Sequence, residues 1–240
     1  MNGTVEARPE YPPAVPGRFK PDGTASHNPG NTLICMIEDE SEIYRGLKAV
    51  YDALAEHPIL SKKVHVMPPD SWHMTMLDCV GEDNREPGWW PPGKEQQPLD
   101  QCTRDFAARL RHLHGALEVD KLRPPYRVKG TGFDIENGSG IGLCVEGADA
   151  DEEKRLRRLR DLLADTIGFR DPRHESYAFH VTICYFIRYI EGEDRAELEK
   201  LLERLLSEVR IAFELGSVAF CEYENLEVFK KLFFVGKEEV

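Results

Sequence analysis

The sequence predicts an α+β fold in two pseudo-symmetric halves with a cleft between them. Three observations predict it. A short stretch occurs twice, as Trp72-His73-Met74-Thr75-Met76-Leu77 and as Phe179-His180-Val181-Thr182-Ile183-Cys184. Apolar periods of two and of 3.6 residues alternate along the chain, which gives strands and helices in both halves. The order strand, helix, motif strand, helix is also met twice, with Leu33 lying 40 residues before His73 and Leu143 lying 37 before His180. That agreement of offsets signals an internal duplication without using the motif itself.

Residues 1–30 are rich in Pro and Gly and predict an irregular arm, its first dozen residues disordered, with a turn at Pro21-Asp22-Gly23-Thr24. The rest, 31–240, reads as one two-lobed domain with approximate halves 31–135 and 136–240. Residues 32–37 form a compact apolar run, a strand. Asp39 or Ser41 then caps a helix to about Glu56 that carries Ile43, Leu47, Val50, Tyr51 and Leu54 on one stripe, and Pro58 ends it. A short strand over 64–67 is broken by Pro68-Pro69, and 72–80 forms the first motif strand. Its other face, Met74 and Met76, is apolar too, so this strand is expected to be central and buried.

Residues 81–98 are an insertion rich in Pro, Gly and charge that contains Trp89-Trp90. Those rings either clamp the loop to the core or form a lid that stacks on a base. A helix over 99–117 follows, with His112 and His114 on or near its solvent face, because a spacing of two does not converge side chains on a helix. A strand over 126–135 ends the first half, and in the second half follow a strand over 141–145, a helix over 149–167, the second motif strand over 177–188 and a helix over 194–209. Strands over 211–220 and 228–236 close the chain around a turn at 222–225.

Composition narrows the function. With 240 residues, 41% hydrophobic and 31% charged, the chain can bury one substantial core or two small ones. A net charge of −12 argues against a long nucleic-acid track, which needs clustered Lys and Arg. The six Cys lack metal-site spacing and mostly sit in apolar runs, as buried free thiols do. No run reaches the roughly 18 apolar residues of a membrane span, and the first residues hold no apolar signal core, so a cytoplasmic protein is expected. A monomer is compatible with the sequence.

In a strand of period two, His73 and Thr75 share one face, as do His180 and Thr182. With eight His in the chain, a Ser or Thr two places on arises by chance roughly once, and His174-Glu175-Ser176, in a polar stretch, reads as that accident. The other two agree in context, with an aromatic before each His and apolar residues between and after. If the halves pack about a pseudo-twofold axis, both His point into one cleft. One neutral imidazole then takes a proton from an attacking oxygen while an imidazolium gives one to the departing oxygen. Thr75 and Thr182 donate to the non-bridging oxygens, where charge grows. Which His is the base stays open. A metal reading is weaker, because no Asp, Glu or Cys stands at ligand spacing and catalytic zinc usually takes three protein ligands.

Together the motifs resemble those of the two-histidine (2H) phosphoesterase superfamily, LigT-like or cyclic phosphodiesterase-like, whose members carry two His-x-Thr/Ser-hydrophobe motifs about a hundred residues apart. His73 and His180 are 107 apart. Gly17-Arg18-Phe19-Lys20-Pro21-Asp22-Gly23-Thr24 and Pro29-Gly30-Asn31-Thr32 are similar to a little-characterised bacterial and fungal branch. The resemblance spans about residues 17–236. It implies an antiparallel sheet with flanking helices in each lobe, His73, Thr75, His180 and Thr182 as catalytic residues, no cofactor or metal, and 2′,3′-cyclic phosphates or 2′-5′ phosphodiesters of nucleotides or small RNA ends as substrates. Candidate substrate-binding residues are Trp89, Trp90, Arg127 and Lys129, the last two on one strand face. The alternatives are a non-catalytic nucleotide or RNA-end binding module and an interaction scaffold; two intact proton-transfer groups favour the enzyme.

Overall fold

The computed structural model describes residues 8–136 and 138–237. Among them are strands β1 (Gly30–Met36), β2 (Val64–Val66), β3 (His73–Gly81), β4 (Tyr126–Asp134), β5 (Gly140–Gly147), β6 (His180–Phe186), β7 (Ala212–Leu215), β8 (Ala219–Asn225) and β9 (Val228–Phe234). Five helices accompany them: α1 (Glu42–Ala55), α2 (Leu99–Leu110), α3 (His114–Val119), α4 (Ala150–Ile167) and α5 (Gly192–Val209). No described helix is long and apolar enough to cross a membrane.

All strand pairings are antiparallel, in the order β7-β4-β5-β6-β3-β1-β8-β9 with β2 also on β6. Two strand sets therefore meet at the motif strands, whose ladder is the single pair Met74↔Val181. The boundary between the sets does not fall at residue 135, as the sequence suggested. β4 lies before that point yet pairs with β5 and β7, whereas β8 and β9, from the end of the chain, build onto β1. The expected strand over 211–220 is accordingly two strands. The break at Gly216-Ser217-Val218 lets the chain leave one edge of the sheet at β7 and rejoin it beside β1. The last turn sits at Leu226-Glu227 rather than 222–225, closed by the Glu227 amide donating to the Asn225 side chain at 2.9 Å.

α1 starts where Ser41 accepts the Tyr44 amide at 3.2 Å, and it buries Ile43, Leu47, Val50 and Leu54. Gly46 lets α5 approach: a Cβ there would lie 2.1 Å from the Glu208 carbonyl oxygen. Asp149 accepts the amides of Asp151 and Glu152 to begin α4, and Gly168, at φ 74°, ends it in the left-handed conformation that costs glycine least. The single helix expected over 99–117 divides into α2 and α3. His112 is exposed, but His114 is half-buried with Nδ1 2.8 Å from the Gly236 carbonyl, which holds the second piece against the end of the sheet.

The arm is irregular, as expected, yet it is part of the core. Residues 1–7, where much of the predicted disorder falls, lie outside the described residues. Beyond them the Tyr189 hydroxyl lies 3.0 and 2.8 Å from the Pro9 and Tyr11 carbonyls, and Ala14, Val15 and Phe19 are buried. The apolar residues scattered among the prolines explain why this stretch is held down. Residues 81–98 are also clamped: Arg85 donates to the carbonyls of Glu95 and Gln97 at 2.7 and 3.0 Å.

Candidate active site

Each motif histidine is the first residue of its strand, His73 of β3 and His180 of β6. Because Met74 pairs with Val181, carrying the antiparallel register one residue either way sets Thr182 opposite His73 and Thr75 opposite His180. All four share the face opposite Met74 and Val181, both fully buried. Two imidazoles and two hydroxyls thus form a four-cornered group at the seam between the strand sets, and all four line a cleft of about 520 Å³.

Irregular pairing extends this face in the same way on both strands. Leu33 and Ile34 pair with Leu77 and Thr75, so β3 gains a residue at Met76, and Ile141 and Gly142 pair with Cys184 and Thr182, so β6 gains one at Ile183. A bulge resets the alternation of side chains. The third residue after each motif threonine, Asp78 and Tyr185, is thereby brought to the cleft, and both line it.

The two histidines are held alike. His73 Nδ1 lies 2.6 Å from the Ser71 carbonyl and His180 Nδ1 lies 2.9 Å from the Ala178 carbonyl, each two residues back. A carbonyl only accepts, so Nδ1 carries the proton in each ring and Nε2 is left for the cleft. Their surroundings differ. His73 meets the Phe229 ring edge-on at 4.4 Å, and burial, with a smaller contribution from nearby His180, pushes its pKa down to about 4 against the Ser71 contact. It is held neutral. His180 lies beside Tyr177, ring centroids 5.9 Å apart.

Tyr177 connects the seam to the core. Its hydroxyl lies beside Thr75, burial raises its pKa, and Arg160 stacks on its ring at 4.0 Å. Arg160 is 1% exposed and donates to the Met76 carbonyl at 2.7 Å, with Asp171 at 3.5 Å. This buried cation thus ties α4 to the bulge of β3 and backs Thr75.

A family model described as 2H-phosphodiest, a domain of unknown function (DUF1868), matches residues 18–124. Over those residues the chain is similar to the 2H phosphoesterase superfamily. The matched residues hold His73 and Thr75; the fold adds His180 and Thr182. The chain is also similar to a conserved protein of unknown function from Agrobacterium tumefaciens str. C58, known from its crystal structure. Identity is 25% and the TM-score 0.82, over 98% of this chain and 97% of that one. No curated protein matches.

Around these four residues, the structure sorts the other candidates. Trp89 lines the cleft beneath Arg173, whose guanidinium lies 4.9 Å from the ring centroid. Trp90 does not reach it. It is fully buried, donates Nε1–H to the Gly81 carbonyl at 3.1 Å and carries Arg85 on its ring, so it is the clamp of the insertion. Arg127 and Lys129 are also outside the cleft. They lie on β4, two strands from the seam, where Arg127 pairs with Asp149 at 3.3 Å and Lys129 with Glu146 at 3.7 Å. The strand face was read correctly, but it faces acidic neighbours.

Sequence reasoning missed Arg18, Asn28, Asp78, Arg173, Tyr177, Tyr185, Tyr223 and Phe229, all lining the cleft. Bulges and long-range pairing place them, and neither leaves a periodic signal. His174 is a core residue, 5% exposed, with Nε2 2.9 Å from Asp161. Asp161, His174 and Glu175 are close enough together to share an ion. Arg170 occupies that group, 3.0 Å from Asp161 and 3.3 Å from Glu175, and none of the three lines the cleft.

Proposed function

We propose that this protein is a metal-independent phosphodiesterase that opens 2′,3′-cyclic phosphates or cleaves 2′-5′ phosphodiester ends of nucleotides or small RNA. The juxtaposition of His73, Thr75, His180 and Thr182 across the β3–β6 seam carries this reading. His73, neutral and half-buried, is the general base: its Nε2 takes a proton from water as the water oxygen forms the new P–O bond. His180, at the opposite corner beside Tyr177, is the general acid. Its Nε2–H protonates the ribose oxygen as the old P–O bond breaks, leaving a phosphomonoester and a free hydroxyl. Thr75 and Thr182 donate to the non-bridging oxygens, with Tyr177 orienting Thr75. Exchange with solvent removes the proton from His73 and restores it to His180.

The cleft favours a small ligand. Its lining cations are Arg18 and Arg173, and Asp78, Asp83 and Asp171 line it as well. Phosphate after phosphate of an extended strand would find few counter-charges. Trp89 is placed to take a base or ring, and Trp89→Ala is expected to raise KM more than it lowers kcat, because a remote stacking contact holds ground and transition states alike. Trp90→Ala should instead lower stability by about 3–5 kcal/mol, the cost of emptying a large buried aromatic site. Denaturant melts of both variants beside their kinetics separate the roles; equal stability losses would remove Trp89 from the ligand site.

The deciding experiment is turnover of a panel of 2′,3′-cyclic mononucleotides and 2′-5′ dinucleotides with EDTA present. Steady hydrolysis unaffected by the chelator is expected. Activity abolished by EDTA and restored by zinc or magnesium would reject the two-histidine mechanism, and tight binding of the panel without any turnover would make the chain a binding module.

A further inference from the structure

The arm delivers a charge to the cleft. Arg18 is fixed at both backbone groups, its amide donating to the Ala14 carbonyl and its carbonyl accepting from the Ser26 amide, each at 2.9 Å. The next residue, Phe19, is fully buried between His65 and Tyr185, with ring centroids 4.3 and 5.2 Å away. This anchor points the half-buried Arg18 side chain into the cleft, where its guanidinium lies 5.3 Å from the Tyr185 ring centroid.

Its electrostatic neighbours locate it further. Tyr185 and Asp78 act on Arg18 together with Asp83 and Tyr223, and they hold its pKa up. Asp78 and Tyr185 are equivalent positions of the two halves, each the third residue after its motif threonine and each delivered by a bulge. Arg18 thus lines the cleft on its Tyr185 side, within electrostatic reach of Asp78. Yet Asp78 pairs with Arg173, at 3.3 Å, and among the described residues no carboxylate lies within ion-pair distance of Arg18. A partly desolvated guanidinium without an ionic partner is costly, and an arriving anion removes that cost.

We infer that Arg18 is the anion anchor of the site, donating from the arm to a non-bridging oxygen of the phosphoryl group bound in the cleft that Thr75 and Thr182 also line. The inference deepens the proposed phosphodiesterase reading and rests on it for the identity of the substrate. It makes the arm part of the active site. With the arm's guanidinium in place, charge that develops on the non-bridging oxygens meets a donor that is already oriented.

The test uses the full chain and inorganic phosphate as probe, with binding followed by tryptophan fluorescence, for which Trp89 in the cleft is the reporter, and checked by calorimetry. Arg18→Ala should weaken phosphate binding on the order of 10- to 100-fold, as loss of a charge-assisted contact does, at an unchanged melting temperature. Arg18→Lys should recover part of the loss, since it restores charge without the fork. Lys20→Ala, an exposed cation on the same arm, should bind like wild type. Wild-type affinity in Arg18→Ala, an equal loss in Lys20→Ala, or no saturable phosphate binding by the unmodified protein would overturn the inference. Should phosphate binding depend on Arg18 while no diester is turned over, the anchor stands and the phosphodiesterase reading falls. Should diesters be hydrolysed with an unchanged KM and kcat in Arg18→Ala, the reverse holds.

Discussion

Replacing either His73 or His180 by Ala is expected to lower kcat/KM for a 2′,3′-cyclic nucleotide by about 100- to 10,000-fold, the usual contribution of a positioned acid or base. Thr75→Val and Thr182→Val should each cost about 10- to 1,000-fold, since one hydroxyl and the remaining donors still hold the phosphoryl oxygens. The double histidine variant should fall little below the worse single one, because groups that act in one proton-transfer cycle are not additive. The two single variants should separate on a diester with a nitrophenol leaving group. Such a group departs without a proton, so His180→Ala should regain most of its rate there while His73→Ala stays impaired. The opposite pattern would exchange acid and base. A folded double variant with wild-type turnover would move the site elsewhere.

Much of the site was legible because it is local in sequence. A His and a Thr two apart in an apolar run must share a strand face, and two such runs at matched offsets from preceding strands imply a duplication. The pairing Met74↔Val181 then does what the offsets suggested. The sequence also marked the helix caps at Ser41 and Asp149, where the chemistry of one side chain decides the start. Exchange of strands between halves was not legible. β4 reads as an ordinary strand wherever it docks, and nothing in Val128 or Gly130 says that β5 and β7, rather than β3, will flank it. The bulges at Met76 and Ile183 left no mark either, because both residues are apolar and suit either face. By simple alternation from their threonines Asp78 and Tyr185 fall on the face away from the cleft, and nothing in the sequence of the arm marks Arg18 as reaching it. Trp89 and Trp90 show the limit of composition: adjacent and identical in type, they divide between cleft and core because successive residues point apart.

The pH profile should carry the signature of His73. Burial and His180 hold its pKa at about 4 in the folded protein, against the usual value of about 6.5, so the base stays unprotonated well into acid. As the base, His73 sets the acid limb of kcat/KM. At pH 5 a base of pKa about 4 is roughly nine-tenths neutral, whereas one of pKa about 6.5 is only about one-thirtieth neutral, a difference of about 30-fold in rate. Activity at pH 5 should therefore lie close to the plateau. The same shift acts on stability with a fixed sign. Between pH 6.5 and about 4 the unfolded chain binds the His73 proton and the folded chain does not, so stability present above 6.5 is lost as pH falls through that window. The loss attributable to this residue is on the order of 3 kcal/mol. His73→Asn should flatten that part of the curve, which urea melts at pH 7 and pH 4.5 on both proteins would measure. An acid limb near pH 6.5 in the wild type, with the two melts changing in parallel, would show that His73 titrates as a solvated imidazole and would take the base assignment away from it.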